Sequence, residues 1–209
     1  MKLGIIGTGK VGSALGRMAA EAGMEVLFST RRPEAAQKAA LEAGRHARAV
    51  TLETLDREAE IILLAVPYPA IASVVASLKQ LAGKVVIDVS NPLNADHTEL
   101  TLGHITSGAE ENARLAPQAK WVKAFNATFA EVYASGQPEI DGKKVTIFYA
   151  GDDAAANEAV HRLIIALGFD AVNAGPLKNA RYLEPLSMLN ILMGRKQGLG
   201  TRIGYRLLR

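Results

Sequence analysis

Three glycines near the amino terminus carry the most specific chemical signal in this chain. Gly7, Gly9 and Gly12 stand at the spacing Gly-x-Gly-x-x-Gly, with Thr8, Lys10 and Val11 between them. The apolar run Leu3 to Ile6 ahead of them reads as a buried parallel strand. Behind them, Val11, Leu15, Met18, Ala19 and Ala22 recur on one helical face. A strand, a glycine turn and a helix leave the first N–H groups of the helix bare, which suits an anion. Gly7 allows the tight turn, Gly9 lets a pyrophosphate meet the backbone, and Gly12 lets helix and strand pack closely. The whole run Gly7, Thr8, Gly9, Lys10, Val11, Gly12 is therefore a candidate contact for a dinucleotide.

A second group sits at the tip of the next strand, Met24 to Ser29. A dinucleotide with a free ribose is usually met there by Asp or Glu. Here the tip reads Ser29, Thr30, Arg31, Arg32, and the nearest acid, Glu25, stands at the start of the strand. Two guanidiniums and two hydroxyls suit a 2′-phosphate, since arginine makes paired charge-assisted bonds to phosphate. The pattern favours NADP(H) over NAD(H). Two further pairs of candidates close strands, where ligands of open α/β sheets bind. Val66 and Pro67 end the run Ile61 to Val66, and Ser90 and Asn91 end Val85 to Val89. Ser90 and Asn91 are placed at the nicotinamide half. Lys123 and Asn126, at the end of Trp121 to Phe125, are candidates for orienting the nicotinamide or a second substrate. Asp88 lies inside its strand and calls for a hydrogen-bond partner rather than a catalytic role.

The elements that must hold these residues alternate strand and helix. Helices are expected from Pro33 to Gly44, from Thr51 to Ala59, along Ile71, Val74, Val75 and Leu78, and from Gly108 to Leu115 with Ser107 as cap. The link Arg45 to Arg48 reads as exposed. Asn94 to Ser107 lacks periodicity and reads as a loop beside the crevice. Its His97 and His104 read as solvated. Lys144 to Ala150 and Gly168 to Val172 are further strands, joined by a helix capped by Asp152, with His161 off its apolar face. Asn179 to Met193 is helical apart from Pro185 and apolar around most of its circumference, which marks it as buried. The expected fold is α/β, a Rossmann-type doubly wound mostly parallel sheet with a small C-terminal helical extension. Residues 1-150 would form the NADP(H)-binding domain. Residues 151-209 would complete the sheet and a second-substrate pocket.

Composition narrows the chemistry. The chain has 209 residues, 49% of them apolar and 22% charged, which is ordinary for a globular protein with a sizeable core. The net charge of +3 is mild and its basic residues are scattered, so nucleic acid is not an expected partner. With no cysteine there is no disulfide and no thiolate nucleophile or ligand. No third ligand accompanies His97 and His104, and no metal site is expected. Met1 leads straight into the first strand and Leu186 to Met193 is too short to span a bilayer. The expectation is a cytoplasmic protein without a membrane segment.

The chain resembles the NADP-dependent oxidoreductases of the coenzyme F420 type, the NADPH:F420 reductases. The resemblance rests on Gly7 to Gly12, Ser29 to Arg32, Ala65-Val66-Pro67 and Ser90-Asn91-Pro92. It continues through Val122-Lys123-Ala124-Phe125-Asn126 and through Gly175-Pro176-Leu177 into Ala180-Arg181-Tyr182-Leu183-Glu184. It implies a Rossmann domain for NADP(H) and a dimer. It places Thr8, Thr30 and Arg31 on phosphates, Pro67 near the nicotinamide side, and Met188 to Gly200 in a deazaflavin pocket. The implied reaction is hydride transfer between the nicotinamide and coenzyme F420 or a flavin-like acceptor. Such chemistry belongs to the cofactors and asks of the protein only orientation and dryness. Two alternatives stand beside it: an NADPH reductase of another small substrate, such as an imine or carbonyl, and a non-enzymatic NADP(H)-binding sensor. The first would carry a long helical C-terminal domain, and little more than thirty residues follow the last expected strand here. The second would show no oxidation of bound NADPH by a ring acceptor.

Overall fold

The computed structural model describes residues 1–209. The first half alternates as the periodicity requires: β1 (Lys2–Ile6), α1 (Lys10–Glu21), β2 (Glu25–Ser29), α2 (Pro33–Ala43), β3 (Ala47–Ala49), α3 (Leu52–Glu58), β4 (Ile61–Leu64), α4 (Ile71–Ser77) and β5 (Val85–Asp88). A long connection then reaches α5 (Gly108–Leu115) and β6 (Lys120–Ala124). There follow α6 (Ala130–Ala134), the short pair β7 (Glu139–Ile140) and β8 (Lys143–Lys144), β9 (Thr146–Gly151), α7 (Ala154–Ala166), β10 (Asp170–Asn173) and α8 (Ala180–Ile191). A π turn, Leu192–Lys196, extends α8.

Eight strands form one sheet in the order β10-β9-β6-β5-β4-β1-β2-β3. The six from β3 to β6 run parallel, whereas β9 pairs antiparallel with β6 and parallel with β10. The chain winds outward from β1 through β2 to β3, then returns to the other side of β1 at β4. The crevice between β1 and β4 is therefore the switch point, where ligands of such sheets bind. Side chains alternate across the sheet. Leu3, Ile5, Ile61 and Leu63 join the core under α1, α2 and α7. Ile6, Ile62, Leu64 and Val86 join a second core on the opposite face.

Some sequence expectations need correction. Ala47–Ala49 within the basic link is a strand, paired with β2 at the sheet edge. Three residues with an exposed arginine at the centre give no readable period, and charge is a common guard on edges. The cap of α7 is Asp153, whose carboxylate accepts from the Ala156 N–H; Asp152 accepts instead from the Leu177 N–H at 2.9 Å. His161 is half-buried and its Nδ1 lies 3.2 Å from the Tyr149 hydroxyl. Helix α8 runs unbroken through Pro185.

Candidate functional site

The crevice is built first by backbone. At Gly7 the chain turns with φ of 103°, and a Cβ there would lie 2.4 Å from the Ala65 carbonyl oxygen. A Cβ on Gly12 would lie 2.1 Å from the carbonyl oxygen of Gly7, so α1 rests directly on the turn. A Cβ on Gly9 would meet nothing within 4 Å. Open space over a glycine, beside a helix start that no side chain caps, is what a close-approaching phosphate needs.

Two cavities continue from this turn. One, of 260 Å³, is lined by Gly7, Thr8, Gly9, Arg32, Val66 and Pro67, among others. The other, of 480 Å³, runs beneath Ser29, Gln37, Val50, Thr51 and Leu52. Thr30 and Arg31 line both, and neither Arg31 nor Arg32 is paired with a carboxylate. The sequence candidates Gly7, Thr8, Gly9, Ser29, Thr30, Arg31, Arg32, Val66 and Pro67 thus share one continuous crevice. Lys10 and Val11 belong to the other end.

That other end is built from side chains. It lies beyond β5 and β6, where α8 crosses the ends of the strands. Phe125 closes β6 with φ of 62°, a left-handed conformation uncommon for a bulky residue, and the Tyr133 hydroxyl donates to its carbonyl at 2.8 Å. This bend delivers Asn126. Its Nδ2 donates to Asn91 Oδ1 at 3.0 Å and to the Leu183 carbonyl at 2.8 Å. Asn91 Nδ2 donates to the Asn126 carbonyl and to Ser187 Oγ, and Ser187 Oγ donates to the same carbonyl. Asn190 donates to the Ala127 carbonyl at 3.1 Å. Asn91, Asn126, Ser187, Asn190, Lys10 and Arg195 are among the residues around a cavity of 190 Å³. Ser90 is buried, and its hydroxyl has no partner within the protein.

Beneath this ring lies a buried charge cluster. Lys123 is 0% exposed, and Asp88 and Glu184 are each 1% exposed. Lys123 Nζ donates to the Ser90 carbonyl at 2.6 Å, to Glu184 Oε1 at 2.8 Å and to Asp88 Oδ2 at 3.3 Å. Burial pushes the lysine toward neutrality. The two carboxylates and their hydrogen bonds outweigh it, so its pKa is raised and it stays charged. All three ammonium protons are engaged, so Lys123 offers nothing to a nicotinamide or a second substrate. The sequence placement of Lys123 as a contact is corrected on that ground. Asp88 has the partners its interior position required: the Ser90 N–H, Asn112 and Lys123. Glu184 was not singled out as a site residue from the sequence. A lone carboxylate on the buried face of an apolar helix, with a lone lysine in an apolar strand, is the signal that could have found it.

A glycine turn at the switch point of a parallel sheet, with cavities on both sides, defines a dinucleotide-binding α/β protein of the Rossmann type. Residues 2–92 match the model of the family described as NADP oxidoreductase, coenzyme F420-dependent. The F420-dependent NADP reductase of Methanothermobacter thermautotrophicus is 30% identical over 97% of this chain and 94% of that protein. Metalloreductase STEAP3 of Rattus norvegicus is 33% identical over 90% of this chain, which spans only 37% of that protein's length. The crystal structure of a protein from Arthrobacter sp. FB24 superposes over the whole of both chains with TM-score 0.86 and 28% identity. The chain belongs to the F420-dependent NADP reductase family, a family of NADP-dependent oxidoreductases. No helix is long and apolar enough to cross a membrane, and no three His, Asp or Glu side chains are grouped to hold a metal ion.

Proposed function

We propose that this chain binds NADP(H) along the crevice and passes hydride between its nicotinamide and a deazaflavin, coenzyme F420, or a flavin-like acceptor. When bound, the nicotinamide supplies the hydride chemistry. The residues of the chain bind, orient and exclude water. Gly9 and the free N–H groups opening α1 take the pyrophosphate. Thr30, Arg31 and Arg32 take the 2′-phosphate. Val66 and Pro67 flank the nicotinamide side, and the unpartnered Ser90 hydroxyl and the Asn91 side chain face that half. Asn126, fixed by its two donated bonds, shapes the wall against which the two rings meet. Residues 1-150 carry the nucleotide and residues 151-209 bring α8 over the second-substrate end.

The observation that carries this reading is the open space over Gly9 beside unpaired Arg31 and Arg32, with a separate cavity under α8 that Lys10 and Val11 of the following helix help line. The test is oxidation of NADPH with coenzyme F420, FMN and FAD in parallel. Turnover with F420 supports the proposal in full. Turnover with a flavin alone changes the acceptor. Tight NADPH binding without turnover by any of the three removes these acceptors, leaves a dinucleotide-binding fold with an unknown acceptor, and raises the sensor reading to equal rank. A cytoplasmic setting and a homodimer belong to the proposal. The dimer is supported by the apolar outer edge of α8, where Tyr182 is 72% and Leu189 50% exposed, with Ile105 at 85% elsewhere on the surface.

A further inference from the structure

Helix α8 must be held firmly over the second-substrate end, yet its own backbone is weakened there. Pro185 lies inside the helix and removes one N–H from the hydrogen-bond ladder. A π turn follows within two turns. The register of Ser187 and Asn190 therefore depends on what grips the turn before Pro185. That grip is Glu184. Its Oε1 accepts from Lys123 Nζ at 2.8 Å and from the Ala109 N–H at 3.1 Å, and its Oε2 accepts from the Gly108 N–H at 2.9 Å. One carboxylate thus joins α8 to the last parallel strand and to the start of α5, where the long connection from Asn91 ends. Lys123 carries the tie on to the Ser90 carbonyl, one residue before Asn91. The amide ring of Asn91, Asn126 and Ser187 sits directly on this frame.

We propose that Glu184 is a positioning residue for the second substrate: its buried carboxylate fixes α8 and so the Ser187 and Asn190 wall, and the phosphate contacts that hold NADPH in the glycine-turn crevice do not need it. The inference rests on the reductase reading above for what the wall contacts. Its geometry stands apart from that reading. The crevice at the glycine turn is lined from β1, β2, β3 and β4, the loops after them, and α2, α3 and α4, and none of its residues hydrogen-bonds to Glu184.

The test compares wild type with Glu184→Gln and Glu184→Asp. Gln keeps the size, loses the charge and turns an N–H₂ group toward a cluster of donors. Asp keeps the charge and is one methylene shorter. For E184Q, the KM for F420 rises about tenfold while the Kd for NADPH stays within about twofold of wild type. Hydrogen exchange quickens across residues 180–191 and stays unchanged across residues 10–21. E184D recovers part of the KM, and it serves alone where E184Q fails to fold. A parallel rise in KM and NADPH Kd, or an unchanged KM despite faster exchange, overturns the proposal. Where wild type turns over no acceptor, the reductase reading fails first, and exchange with NADPH affinity still decides. Faster exchange confined to α8 with NADPH affinity kept supports the clamp, and uniform or absent change overturns it.

Discussion

The two ends of the crevice are made differently. At the glycine-turn end the decisive groups are backbone: a turn at Gly7, open space at Gly9, and a helix seated on the Gly7 carbonyl at Gly12. Its charged side chains, Arg31 and Arg32, are exposed and unpaired. At the other end the decisive groups are buried side chains that hold one another, with Lys123, Asp88 and Glu184 beneath and Asn91, Asn126 and Ser187 above. A backbone site is stiff and works for any ligand carrying the same phosphates. A side-chain site can be rebuilt by substitution, and its accuracy depends on every partner.

The largest expected effect falls on the side-chain end. Lys123→Met leaves Asp88 and Glu184 buried without their counter-charge, and should cost about 3–5 kcal/mol of stability. Urea unfolding measures it. A loss below ~1 kcal/mol would mean that the cluster is already relaxed by water, and the contrast between the two ends would weaken. Next come the glycines. Gly12→Ala drives a Cβ into the Gly7 carbonyl and should weaken NADPH binding about 100-fold, or ~2.7 kcal/mol. Gly9→Ala meets nothing in the protein, so stability should stay within about 0.5 kcal/mol. Its NADPH affinity should still fall about tenfold, because the new methyl stands where the phosphate approaches. Fluorescence titration and thermal melts of the two variants separate a packing glycine from a ligand glycine. If Gly9→Ala binds normally, the pyrophosphate is not at this turn.

The arginines sharpen the same contrast at lower amplitude. Arg31→Ala with Arg32→Ala removes charged hydrogen bonds worth about 1.5–3 kcal/mol to a 2′-phosphate. NADPH affinity should fall about 10- to 100-fold with NADH affinity nearly unchanged. Equal losses for both nucleotides would place these side chains elsewhere on the ligand.

The difference between the ends also decides what a reader of the sequence can see. Gly7 to Gly12 and the strands beside them are legible because each signal is local: a run of apolar residues, a glycine spacing, a helical face. Arg31 and Arg32 are legible because they follow directly on β2. The second end is assembled from residues far apart in the chain. Asn91 meets Ser187 across 96 residues, and Lys123 meets Glu184 across 61. The string Val122 to Asn126 drew attention to Lys123 and Asn126 without showing where either side chain points. Strand residues at a sheet's carboxyl edge can face the ligand or the layer beneath, and Lys123 faces beneath. Strand β3 and the β7–β8 pair were missed because two or three residues carry no period. Helix α6 is five residues long and hides for the same reason.

The smallest expected effect lies at the rim of the side-chain end, where α5 and α8 are tied a second time. Arg181 donates to Glu110 through Nε at 2.8 Å and Nη2 at 2.6 Å, while Ser107 Oγ donates to the same carboxylate. The hydrogen bond from Arg181 holds the Glu110 carboxyl below the usual range for glutamate. An unfolded glutamate titrates near 4.3, so the folded state binds its proton at lower pH than the unfolded state does. The tie therefore contributes its full stability above about pH 4.3 and loses it as the pH falls through the lower folded value. Arg181→Ala should narrow this: the stability gap between wild type and variant is widest at neutral pH and closes in acid. Added salt should shrink the gap too, since the pair is only partly buried. Urea unfolding from pH 7 down to about pH 3 at fixed ionic strength reads both trends. A gap that stays constant across that range would show that Arg181 serves through the packing of its stem, and that Glu184 alone ties the two helices by charge.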